Sequence, residues 1–194
     1  MTSRRIWLTG DPAADDLLST DDNALLLGMV LDQQVAMEKA FAGPAVIAER
    51  MGGRLDVAAI AAMDEDAFVA LCSERPAVHR FPGAMAKRVR QVCQVLVEDF
   101  DGDAGRVWRD AATGADLKRA IAALPGFGAE KSTIFVAVLA KQRGIAPPGW
   151  QEAAGTFGQD GYRSVADVVD EESLARVRES KRAAKAAKKA AAAG

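Results

Sequence analysis

Two helix-patterned segments joined by Leu124-Pro125-Gly126-Phe127-Gly128-Ala129-Glu130-Lys131 constrain this chain more than any other stretch. Upstream, Leu117, Ala120, Ile121 and Leu124 recur at spacings of three and four, and Thr113 with Asp116 three residues on reads as a capping box opening that helix. Downstream, Ile134, Phe135, Val138 and Leu139 repeat the pattern until Gly144 and Pro147 end it. Pro125 and the two glycines must then form the turn, and the chain doubles back as a tight helical hairpin. Gly126 and Gly128 can take positive φ and carry no side chain. The amides of the turn and of the next helix's first residues can therefore approach an anion directly, and a phosphate suits that geometry.

The run from Gly126 to Ser132 superficially looks like a nucleotide P-loop, but that loop needs Gly immediately before the Lys and a buried strand before the loop. Glu130 and an alanine-rich helix stand there instead. An ordinary turn between packed helices would use the same Pro and Gly, so by itself the hairpin leaves both a phosphate site and a plain turn open.

Leu-Pro-Gly-Phe-Gly between two such helices resembles the helix-hairpin-helix of the base-excision DNA glycosylase superfamily. Asp32-Gln33-Gln34-Val35, about ninety residues upstream on an apolar helix, is similar to the Ser/Gly-Gln-Gln stretch of that superfamily's alkylation-repair branch. The resemblance covers roughly residues 20–150. It implies double-stranded DNA as partner, with Leu124, Pro125, Gly126, Phe127, Gly128 and Lys131 at a backbone phosphate. It also implies a monovalent cation at the hairpin, no other cofactor, and Gln33 and Gln34 near the minor groove, where they help replace a displaced base.

At 194 residues the chain is long enough to bury a core as one domain or one body with two lobes. Cys72 and Cys93, its only cysteines, lie far apart and cannot by themselves build a four-cysteine zinc site or an Fe-S cluster, which excludes the cluster loop of the endonuclease III branch. No apolar stretch reaches membrane-span length and the N-terminus is polar, so a cytoplasmic, nucleoid-associated monomer is expected. Net charge is −2, yet Arg176 to Gly194 carries seven Lys or Arg against Glu179, a net of +6, which leaves −8 on the rest. That asymmetry divides the chain into a domain over residues 1–175 and a basic Ala/Lys-rich tail over 176–194, either solvated or in contact with DNA.

Along the chain, Ile6-Trp7-Leu8 form a short apolar cluster at the edge of the core. From Asp21 or Asp22 an apolar stripe through Leu25, Met29, Met37 and Phe41 predicts one long helix ending at Gly43-Pro44, with Gln33 and Gln34 inside it. A short helix from Ala45 to Met51 and two more opened by Asp56 and Asp64 follow. The loop Arg75 to Gly83 holds two prolines, the lone histidine, His79, and Arg80. It opens a helix carrying Lys87, Arg88 and Arg90, which reads as a basic wall facing DNA or as the solvated face of a core helix. His79 alone is no metal site. A last helix is expected from Ser164 to Arg176, opened by Ser164 and Asp167 as a capping box. No strand-like alternation of useful length occurs, so the fold is expected to be all-α, a two-lobed helical bundle with a helix-hairpin-helix DNA-binding motif.

Glycosylase chemistry extrudes a base and stabilises a cationic sugar while water attacks. The resemblance places an Asp about eighteen to twenty residues past Glu130, but Pro147-Pro148-Gly149-Trp150-Gln151-Glu152 occupies that place. Glu152 is the nearest substitute carboxylate, beside Trp150, which could stack on an extruded base; a helix cap and a core tryptophan would account for the same two residues. The Schiff-base Lys of bifunctional relatives is replaced by Glu130, and Lys131, one residue on, is turned by about 100° and expected to point elsewhere. The expected activity is therefore a monofunctional DNA glycosylase releasing a damaged base by N-glycosidic hydrolysis. The alternative is a non-catalytic helix-hairpin-helix DNA-binding protein that has lost the Asp.

Overall fold

The computed structural model describes residues 5–191; residues 192–194 of the tail and the side chain of Lys188 lie outside the described part. Among the described residues there are eleven α-helices and no strand, as the apolar spacing predicts. No helix among them is long and apolar enough to cross a membrane.

The first lobe is built from α1 (Pro12–Thr20), α2 (Asp22–Leu31), α3 (Met37–Arg50), α4 (Val57–Ala62), α5 (Glu65–Ser73) and α6 (Pro82–Phe100). Aspartates at 11, 21, 56 and 64 cap α1, α2, α4 and α5, each accepting from the amides of the first turn. Helix α2 is apolar all round, with every residue from Ala24 to Leu31 buried, and forms the centre of the core.

The long helix expected from Asp21 to Gly43 is two helices. Asp32 leaves the helical region at φ −72° and ψ 73°, Gln34 takes φ 57°, and α3 then runs on to Arg50 with Pro44 inside it. Helical periodicity cannot reveal the break, because the apolar residues on both sides keep the same spacing. Pro44 is tolerated because packing outweighs the lost hydrogen bond. A Cβ on Gly43 would overlap Leu31, and one on Gly28 would lie 2.6 Å from the Phe41 ring, so α2 and α3 approach more closely than longer residues would allow.

The second lobe comprises α7 (Gly105–Trp108), α8 (Gly114–Ala122), α9 (Ala129–Arg143) and α10 (Trp150–Ala154). Two cross-links lay α9 antiparallel along α2. Lys131, in the first turn of α9, donates to the Val30 carbonyl at 3.0 Å, and Arg143, in its last turn, pairs with Asp22 at 2.6 Å.

Ser164 and Asp167 do form a capping box, but it opens a single 3-10 turn, and the last helix is α11 (Glu171–Ala191), running through the tail. It docks by burying Leu174 and Val177 and by an Arg178–Glu38 ion pair. Gln142 donates to the Ala166 and Val168 carbonyls at 2.9 Å each, and Lys141 pairs with Asp167, so α9 fixes the segment from which α11 departs.

Candidate nucleic-acid interface

Leu124 and Phe127 are buried and fasten the hairpin to the core, Phe127 stacking at 5.8 Å on Phe135, which meets Trp108 edge-on at 5.7 Å. Pro125 is half-buried, and Gly126, Gly128 and Ala129 are exposed. Gly126 takes φ 84°, as a turn glycine should. Gly128 does not: its φ is −75° and ψ 177°, and it serves as the N-cap of α9 with no side-chain cap. A Cβ there would meet nothing within 4 Å among the described residues, so the position opens on free space. The first-turn amides of α9 are the positive end of a fifteen-residue helix whose first residues are exposed.

Arg88, not Lys87, attends the hairpin, its side chain lying where a Cβ of Gly126 would be. One residue away on α6, Lys87 is turned toward α5 and pairs with Glu65 at 2.8 Å, while Arg90 donates to the Met63 carbonyl. The expected basic wall is thus divided, with one member facing the hairpin and two facing the neighbouring helices.

Gln33 and Gln34 are exposed in the loop between α2 and α3. The loop is held from below by His79, which is buried and lies with Nε2 2.9 Å from the Gln33 carbonyl, while the Phe81 amide donates to Nδ1 at 3.0 Å. The imidazole is therefore the Nε2-protonated neutral tautomer. Burial lowers its pKa, and the main-chain bonds to Gln33 and Leu31 oppose that shift. Arg80 stacks on the ring of Phe81, itself an exposed aromatic, at 5.3 Å.

A cavity of about 540 Å³ opens between this loop, the start of α9 and α11. Asp32, Gln34, Glu130, Lys131, Arg163 and Lys181 supply its polar walls, and Met29, Ile134 and Phe157 its apolar ones. Lys131 therefore does not point away from the position of Glu130; both reach the same space. Its pKa is lowered by burial and by Arg88 and is raised in part by Asp32. Asp32 is half-buried, and burial pushes its pKa up against the pull of Lys181 and Lys131.

Glu152 and Trp150 are not brought together with this cavity or with each other. Glu152 is exposed beside Lys118 and Arg119 of α8, on a hollow between α8 and α10, whereas Trp150 lines a separate hollow with Tyr162 and Asp167. They sit two positions apart on a one-turn helix, which sends them to opposite sides. Asp32 is the cavity carboxylate that sequence reasoning missed. The signal that could have found it is that Asp32 is the only charged side chain between Ala24 and Met37.

The two cysteines are buried and free, each thiol pushed up to about 12 by burial, and are inert. Among the described residues no group of three or more His, Cys, Asp or Glu could hold a metal ion.

A hairpin with open amides, a glutamine loop beside it and an all-helical two-lobed body define a helix-hairpin-helix DNA-binding protein. The family model of the HhH-GPD superfamily base excision DNA repair protein matches residues 27–193, and the chain belongs to that superfamily. The match extends past the hairpin and includes α11, beyond the roughly 20–150 carried by the two motifs. No curated protein and no solved structure matches the chain.

Proposed function

We propose that this protein is a monofunctional DNA glycosylase that removes a damaged base, in the manner of an alkylation-repair enzyme. The observation that carries this reading is the cavity of about 540 Å³ immediately behind the hairpin, a volume suited to one extruded nucleotide. The hairpin amides and Arg88 would fix a backbone phosphate, Gln33 and Gln34 would occupy the space the base vacates, and the base would enter between the loop and α9. A monovalent cation at the hairpin would have to be held by main-chain carbonyls, given the lack of a side-chain cluster among the described residues. The protein would act as a monomer on the nucleoid.

The amine of Lys131 is engaged by the Val30 carbonyl and Glu130 occupies the Schiff-base position, so base release is proposed without strand cleavage. A second reading, a DNA-binding protein without catalysis, is favoured by the absence of Asp from Pro147 to Glu152 and by the orientation of Glu152 away from the cavity.

Incubation with duplexes that each carry one lesion, followed by alkali, separates the two. Alkali-dependent cleavage at one class of lesion supports the glycosylase; tight binding with no cleavage at any lesion supports the second reading.

A further inference from the structure

Two carboxylates line the cavity, Asp32 and Glu130, and their surroundings differ. Glu130 is exposed in the first turn of α9, next to the hairpin amides, where water screens it and where a bound phosphate would repel it. Asp32 is the C-cap of α2, at the negative end of that helix, and is half-buried beside Gln33 and Gln34. Helix end and burial both oppose an anion there, so its charge is not explained by stability. Lys131 and Lys181 offset part of the burial from the facing helices, α9 and α11. A carboxylate kept in a cavity against such costs is a candidate functional group.

We propose that Asp32 is the catalytic carboxylate of this protein, facing the deoxyribose of an extruded nucleotide and stabilising the cationic sugar as the N-glycosidic bond breaks. The assignment rests on the glycosylase reading. The bond between C1′ and the nitrogen of a cationic, alkylated base breaks with its electron pair leaving on the base, which departs neutral. A water oxygen then bonds to C1′, and the water proton passes to Asp32 and on to solvent. No other reactant is required.

The test uses the full chain and two duplexes, one with a cationic pyrrolidine abasic analogue and one with a neutral tetrahydrofuran analogue. A carboxylate at the sugar should make the parent prefer the pyrrolidine duplex by about tenfold or more. Asp32→Asn should bring the ratio close to one with tetrahydrofuran binding nearly unchanged, while Glu152→Gln should keep the parent ratio.

The Asn variant is expected to fold. A raised carboxyl pKa means that the protonated form is the better accommodated one, so the stability it brings is present at low pH and lost as pH rises through the folded value. At neutral pH the neutral Asn should accordingly raise Tm. Asp32→Ser serves as a second neutral variant. A parent ratio near one, or a parent-like ratio in a neutral variant, overturns the assignment. Failure of the glycosylase reading is distinct: no base is released from any lesion, yet the pyrrolidine preference persists and depends on Asp32.

Discussion

The imidazole of His79 lies 2.9 Å from the Gln33 carbonyl and makes the loop that follows α2 continuous with the loop that opens α6. Both ring nitrogens are used, and protonation of Nδ1 would break its bond from the Phe81 amide. Because burial lowers the pKa below the ordinary 6.5, the neutral form is favoured by folding. Its contribution is full above that value and is lost as pH falls through the folded pKa. The sequence has no other histidine. Tm should therefore decline as pH drops below about 6.5, and His79→Gln should flatten that decline. Equal declines in both proteins would show that other groups titrate.

Gly128→Val tests the hairpin with little disturbance of the fold, because a Cβ there meets nothing within 4 Å among the described residues and φ −75° suits any residue. Duplex binding should weaken by roughly tenfold, equally across sequences, as expected when a phosphate rather than a base contact is blocked. Unchanged affinity in a variant with the parent's circular dichroism would remove the hairpin from the interface.

The hairpin's position was legible because it depends on local residue types, the Pro and Gly of the turn and the helical spacing on either side. The break at Asp32 was not, since Leu25 to Met37 keeps one helical period through it, and neither was Pro44 inside α3, where close packing of Gly43 on Leu31 overrides the proline. The direction of Glu152 depends on how α10 seats on α8, and the placement of Lys131 on how α9 lies along α2. Such tertiary facts leave no trace in spacing. Lys87 and Arg88 illustrate the point, being adjacent in the chain yet committed to different neighbours.

Helix α11 carries its cations past the cavity, with Lys181 at the wall and the turns beyond it exposed. Deleting residues 179–194 removes five of the seven Lys and Arg of the tail. The slope of log affinity against log salt should become shallower by about one for each phosphate that the shortened chain no longer neutralises. An unchanged slope would mean that the tail does not touch DNA.

Arg143 joins the lobes through Asp22 at 2.6 Å and the Leu18 carbonyl at 3.1 Å, with both charged side chains largely buried. Among the described residues, Arg143→Met would leave Asp22 with the longer Arg109 pair at 3.4 Å. The expected loss is about 2–4 kcal/mol, equivalent to roughly 5–15 °C in Tm for a chain of this size. A change below about 1 kcal/mol in chemical denaturation would show that the cross-link is not a main tie between the lobes.

The proposed reaction removes a base from DNA whose strands stay intact. Alkylated and oxidised duplex DNA can be incubated with the full chain, the small molecules identified by mass spectrometry, and the same DNA sized with and without alkali. The expectation is one free damaged base accumulating together with aldehyde sites, with strand breaks only after alkali. No free base above the buffer control, or breaks without alkali accompanied by a borohydride-trapped complex through Lys131, would contradict it.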